Sequence, residues 1–253
     1  MIAQLGRRTV DAVKAVGRFG HFVSDMGRAL PDVATWGGLT VVQMRRVGVD
    51  SLPVALFIAA FTGVVLALQA SYTFTGTVPL YFVGTLVGKT MMLELGPVLA
   101  GLALAGRVGA SMAAELGTMK VTEQVDALET LAYNPQSYLV LPRVIAGTLM
   151  FPVIVSFAIA TGIITGWITS LVLLDLSTPD FIKGLKLFYQ FKDIWFGLLK
   201  SASFGCTITL VGCIVGLSTR GGAEGVGRST TRAVVYSAIL ILVLDAFWAV
   251  VLL

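Results

Sequence analysis

The sequence predicts an all-α integral membrane protein of about five transmembrane helices, with an amphipathic helix before them and a short cytoplasmic helix between two of them. Three observations carry this prediction. Only 13% of the 253 residues are charged while 56% are hydrophobic, against about 25% charge in a soluble domain. The uncharged stretches are long enough to cross a bilayer, which takes about 20 helical residues for a core of about 30 Å. The basic residues are distributed unequally between the segments that join those stretches. Disorder is excluded, because disordered chains are poor in apolar residues and rich in charge.

The N-terminal segment lacks the apolar run and small-residue cleavage site of a signal peptide. Leu5, Thr9, Ala12, Val16, Phe19 and Val23 recur near one helical face, and Arg7, Arg8, Asp11, Lys14 and Arg18 spread over the other. That pattern suits a helix lying in the cytoplasmic interface, its cations near anionic head groups.

Asp50 and Lys89 enclose 38 residues without a charge, broken by Thr75-Gly76-Thr77-Val78-Pro79. Two crossings fit, one from about Ser51 to Ser71 and one from about Pro79 to beyond Gly106, with Lys89 and Glu94 inside the second. A shallow re-entrant pair is the alternative for the first. Arg143 and Asp175 enclose 31 more uncharged residues, with tilt or a kink at Pro152 absorbing the excess length. Lys200 and Arg220 enclose 19, and Ala233 to Leu253 is apolar except for Asp245.

Orientation follows from the cations. Seven precede the first crossing, three lie from Arg107 to Arg143 and three from Arg220 to Arg232, against Lys183, Lys186, Lys192 and Lys200 on the other side. The N-terminus is therefore expected in the cytoplasm and the C-terminus outside.

Several motifs bear on chemistry. Gly84 to Thr90 approaches the nucleotide-binding pattern GxxxxGK[ST] but has Val83 where the first Gly belongs, and it sits inside a membrane run, so ATP binding by this chain is rejected. Gly84/Gly88, Gly162/Gly166 and Gly212/Gly216 are GxxxG pairs, which let helix backbones approach closely in lipid. Cys206 and Cys213, seven apart on one helical face, read as packing residues, and with the single His21 they supply no metal-ligand set. Glu94, just before Pro97, puts a carboxylate at a helix bend, where it is expected to face a polar cavity or to pair with Lys89 or Arg107. Asp245 reads as a helix-packing residue.

Between Arg107 and Arg143, Thr122 to Leu131 reads as a short helix that Thr122 caps and Asn134-Pro135 stops. Val125, Leu128, Leu131 and Ala132 line one side of it and acids the other. Such a helix is suited to docking into another protein's groove, or to resting on its own bundle as a solvated connector.

Glu94-Leu-Gly-Pro-Val-Leu-Ala, Ala105-Gly-Arg107-Val-Gly-Ala-Ser, Ala114-Glu115-Leu-Gly-Thr-Met, Glu123-Gln-Val-Asp-Ala-Leu-Glu129, Asn134-Pro135 and Leu141-Pro-Arg143 together resemble the MlaE/YrbE permease family. The likeness is contiguous from about Leu93 to Ala146 and continues through Ser229-Thr-Thr-Arg232-Ala-Val-Val. It implies a single permease domain over 1–253, with an interfacial region at 1–48, a transmembrane domain at 51–253 and a coupling helix at about 122–132.

The resemblance further implies the membrane subunit of an ABC transporter that moves phospholipids between inner and outer membranes and contributes to outer-membrane lipid asymmetry. It would be non-catalytic, with no cofactor of its own, ATP and Mg being bound by a partner. The implied assembly is a homodimer in the bacterial inner membrane with an MlaF-like ATPase, a periplasmic MlaD-like MCE-domain lipid-binding protein and an MlaB-like STAS-domain regulator. Nucleic acid has no part in it.

Carried over by position, Glu123, Gln124, Val125, Asp126, Leu128, Glu129 and Leu131 would receive motion from the ATPase. Glu94 and Leu93 would border the lipid cavity. Some relatives have an Arg where this chain has Leu93, leaving Lys89 and Arg107 as alternative cations for a head-group phosphate. Leu66, Tyr72 and Tyr81 sit where acyl chains would be contacted.

Two other functions compete at the level of the residues. An ion-coupled secondary transporter of a lipophilic substrate would use Glu94 and Asp245 as proton sites, yet the internal repeat common in such proteins is not visible. An integral membrane lipid-modifying enzyme would need a nucleophile, metal or phosphate cluster, and no such constellation is present.

Overall fold

The computed structural model describes residue 17 and residues 20–74 and 78–252. Most of the amphipathic N-terminal pattern, and the hairpin tip at 75–77, lie outside the described residues. The elements are α1 (Val33–Val47), a single tight turn at Val49–Ser51, α2 (Leu52–Thr73), α3 (Phe82–Val121), α4 (Gln124–Thr130), α5 (Gln136–Leu173), α6 (Thr178–Leu187), α7 (Phe191–Leu217) and α8 (Gly222–Leu252). Five helical spans are long and apolar enough to cross a membrane, α1 and α2 counting as one, and no strand occurs among the described residues. α2 is a full helix of 22 residues begun by a Pro in its first turn, long enough to span rather than re-enter.

α5 is the central element, packed along α1, α2 and α7, while α3 and α8 pack against α7 and each other. The contacts are close because small residues meet. A Cβ on Gly63 of α2 would collide with the carbonyl of Gly162 on α5, and Thr165 donates to the carbonyl of Ala60 at 2.9 Å across the same crossing. The Gly162/Gly166 and Gly212/Gly216 pairs therefore lie at crossings between spanning helices, α5 with α2 and α7 with α3. The Gly84/Gly88 pair instead receives Phe181 and Leu185 of α6, a short helix outside the five spans.

The core runs along the bundle in layers. Leu104, Phe151, Ile154, Phe204, Ile208 and Ile241 fill the middle; Val83, Val87, Met91 and Phe181 fill the end beside α6; Leu116, Val125, Leu139, Val140 and Cys213 fill the end beside α4.

Two expectations are corrected here. Thr122 does not cap the short helix: its hydroxyl donates to the carbonyl of Thr118 at 2.8 Å, and α4 starts at Gln124 after Glu123, which has φ +60°. Lys200 is not an outer boundary residue, because α7 begins at Phe191, where the side chains and backbones of Gln190 and Asp193 cap each other. That start puts Lys200 more than two turns inside the helix.

Candidate functional site

Three features of the bundle carry chemistry: an apolar groove, a charged centre beside it, and the short helix at one end.

The groove, a cavity of about 470 Å³, is lined by Phe57, Ile58, Phe61, Thr62, Val65, Leu66 and Gln69 of α2 and by Leu95 and Leu99 of α3. Its α2 wall arises because α2 is apolar all round, so the residues it does not bury against α5 remain exposed. Phe57 and Phe61 pack one turn apart at a tilt, with ring centroids 4.8 Å from each other. A volume of this size falls within the usual range for small-ligand sites, about 300–1,000 Å³. Apart from the Thr62 hydroxyl and the Gln69 amide, the lining side chains are hydrocarbon, so the groove suits an acyl chain.

The charged centre is built at a break in α3. Residues Met91–Leu95 form a wide π-helical turn immediately before Gly96-Pro97, a local distortion frequent at functional sites. Pro97 has no N–H to offer the carbonyl of Leu93. Lys200 Nζ from α7 lies 3.3 Å from that oxygen, 2.7 Å from Glu94 Oε2, and against Asp245 Oδ1 of α8. Two of the three ammonium donors are hydrogen-bonded, to the Leu93 carbonyl and Glu94, and the Asp245 carboxylate is held as an ion pair. Lys200 is 1% exposed, the Asp245 side chain 16% and the Glu94 side chain 47%. The triad carries two acids on one base, and its open member, Glu94, adjoins Leu95 of the groove wall. The structure thus ties α3, α7 and α8 together through one buried cation.

The predicted site residues fall into separate places. Leu66 lines the groove, Glu94 directly precedes Leu95 of its wall, Leu93 contributes its carbonyl to the charged centre, and Tyr72, 85% exposed, continues the stripe of Val65 and Gln69 along α2. Tyr81 does not join them: it stacks on Phe82 at 4.8 Å and holds Lys183 over its other face at 4.7 Å, under α6. Lys89 is paired with Asp193 at 2.8 Å. Arg107 lies toward the α4 end, in a second wide turn at Ala105–Gly109, and donates to the Ser51 hydroxyl. Neither Lys89 nor Arg107 pairs with Glu94; Lys200 does. Lys200 and Asp245 escaped as site residues because each was assigned by its distance from the end of an apolar run. The Gln190/Asp193 start of α7 was the signal that could have placed Lys200 inside.

At the other end, α4 is bracketed by two left-handed residues, Glu123 with φ +60° and Ala132 with φ +61°, a conformation uncommon outside Gly. Lys120 Nζ bonds Asp126 at 2.6 Å and so ties α4 back to α3. Val125 is buried in the end layer of the core with Leu128 packed against it, while Glu123, Gln124, Asp126, Glu129 and Leu131 are exposed. The apolar stripe therefore splits: half of it rests on the bundle, and Leu131 remains exposed, as does Tyr133 beside Tyr138.

The sequence pattern of the family described as Permease MlaE matches residues 40–251. A probable ABC transporter permease protein of Rickettsia bellii is 39% identical over 239 residues, covering 94% of this chain and 92% of that one. The intermembrane phospholipid transport system permease protein MlaE of Haemophilus influenzae is 34% identical over 248 residues, covering 96% and 94%. The chloroplastic protein TRIGALACTOSYLDIACYLGLYCEROL 1 of Arabidopsis thaliana is 35% identical over 206 residues, covering 81% of this chain and 59% of that one.

Proposed function

The chain belongs to the MlaE permease family and is a multi-pass membrane permease, and we propose that it is the phospholipid-conducting subunit of an ABC transporter. The observation that carries this is the apolar groove of about 470 Å³, with Glu94 next in sequence to Leu95 of its wall. Acyl chains take the hydrocarbon lining, and the charged centre next to it offers the polar end of a lipid a place other than the bilayer interior.

In this reading the chain contributes no catalytic residue. ATP and Mg are bound by an ABC ATPase that engages the exposed face of α4. Because Val125 and Leu128 seat α4 on the bundle and Lys120 holds it to α3, force on α4 is passed to α3, the helix that bears Glu94. Two copies of the chain, a lipid-binding MCE-domain protein outside and a STAS-domain regulator inside complete the assembly. Its place is the bacterial inner membrane, with the α4 end cytoplasmic, the C-terminus periplasmic, and maintenance of outer-membrane lipid asymmetry as the role. The cations support this orientation. With Lys200 withdrawn into the bundle, Lys183, Lys186 and Lys192 oppose the thirteen cations that the sequence assigns to the other side.

Purification of the chain from its native membrane is expected to bring down an ABC ATPase. Isolation as a complex without any ATPase, together with lipid transport driven by a pH gradient, overturns the proposal and favours an ion-coupled carrier.

A further inference from the structure

A second cavity, of about 300 Å³, lies at the α4 end of the bundle, apart from the groove, and is lined by Gln43, Arg46, Val47, Asp50, Arg107, Val108, Ser111, Met112 and Glu115. Its walls are α1 with the turn that follows it, and the second half of α3. We propose that it binds the phosphate of a phospholipid head group from the leaflet at the α4 end, a site distinct from the groove. This rests on the reading of the chain as a phospholipid permease with that end in the cytoplasm.

Three guanidiniums, Arg46, Arg107 and Arg143, gather at or beside the cavity against two carboxylates, Asp50 and Glu115, and this excess of one positive charge suits an anion. Glu115 accepts from two guanidiniums, Arg143 at 2.9 Å and Arg46 at 3.4 Å, so one carboxylate is shared by two cations. Arg107 is half-buried, and its hydrogen bond to the Ser51 hydroxyl leaves it without a carboxylate partner among the described residues. A half-buried guanidinium inside a spanning helix and without a carboxylate partner suits an anionic ligand. Guanidinium suits phosphate in particular, because its fork of N–H groups matches two phosphate oxygens.

The wide turn at Ala105–Gly109 displaces Arg107 from the register of an ordinary helix, and the neighbouring Gly106 is exposed with open space where a Cβ would stand. Val42 and Val49, about one turn before and after Arg46, are exposed. They offer the acyl chains an apolar flank while the head group lies between Arg46 and Arg107. Basic pockets between membrane helices on the cytoplasmic side are a known means of holding anionic head groups.

The test uses the chain in nanodiscs with its ATPase and a phosphatidylethanolamine carrying a photoreactive group on its head, with labelled peptides mapped by mass spectrometry. Labelling is expected within 43–50 and 107–115. Arg107→Gln is expected to reduce it about ten-fold and Arg46→Gln about three-fold, with labelling of 57–69 unchanged. Arg46 is exposed and its ion pair is a surface one, so Arg46→Gln reports even where Arg107→Gln fails to fold.

No labelling of those two segments in the unsubstituted chain, or labelling indifferent to Arg46→Gln, overturns the proposal. So does its loss when inorganic phosphate is added at the concentration of the lipid, which assigns the cavity to the free ion. ATP-driven lipid movement is scored on the same preparation. Labelling without movement sinks the permease reading and leaves the site standing, whereas movement without labelling sinks the site alone.

Discussion

Replacing Lys200 by Met removes the cation of the buried triad while nearly preserving its length and volume. Lys200 is 1% exposed, hydrogen-bonded to Glu94 and the Leu93 carbonyl and paired with Asp245, so Lys200→Met strands Asp245 in a mostly buried position and leaves the carbonyl of Leu93 without its donor. Breaking a buried pair by removing one partner costs about 3–5 kcal/mol. Glu94, half-exposed, recovers solvent and contributes little to that cost, which places the expectation at the lower end, about 3 kcal/mol. In a chain of this size 1 kcal/mol moves the melting temperature by about 2–4 °C, so Lys200→Met is expected to lower it by about 6–12 °C. Thermal unfolding in detergent, followed by tryptophan fluorescence, measures this. Adding Asp245→Asn, which removes the stranded charge, is expected to restore more than half of the loss. A shift below about 2 °C, or a double variant no more stable than Lys200→Met, refutes the view that one cation holds α3, α7 and α8 together.

Three further predictions address the groove, the short helix and the helix crossings. Val65→Trp, at an exposed position of the groove wall, is expected to leave the melting temperature within about 2 °C of the parent and to cut lipid transport at least ten-fold by filling the space an acyl chain would occupy. Leu131→Asp is expected to lower transport-coupled ATP turnover several-fold with no loss of stability; Val125→Asp, which buries a charge in the end layer, lowers the melting temperature by more than about 5 °C. Gly63→Leu forces α2 away from Gly162 and is expected to cost about 1–3 kcal/mol, measured as a lower melting temperature.

Much of the fold was legible from the spacing of charges, because a bilayer imposes one physical requirement: long apolar helices with polar residues excluded. That requirement located α2, α3, α5 and α8. It misplaced Lys200 because a buried lysine satisfied by two acids and a carbonyl looks, in sequence, like a lysine at a membrane boundary. The pairing of Lys89 with Asp193 was equally invisible, since the two residues meet only when α3 packs against the start of α7. α6 was missed although Ser177-Thr-Pro-Asp180 signals a helix start, the Ser177 hydroxyl accepting from the N–H of Asp180 at 3.3 Å. The short helix α4 was recognised, but which part of its apolar stripe faces the bundle is set by the left-handed turn at Glu123, and no side-chain pattern fixes that turn in advance.

The most direct measurement is lipid movement by the chain reconstituted in proteoliposomes with its ATPase. Phospholipid movement that requires ATP, stops when the ATPase is omitted and is lost in Val65→Trp is the result predicted here. Movement at full rate without the ATPase, or with the groove filled, would contradict it.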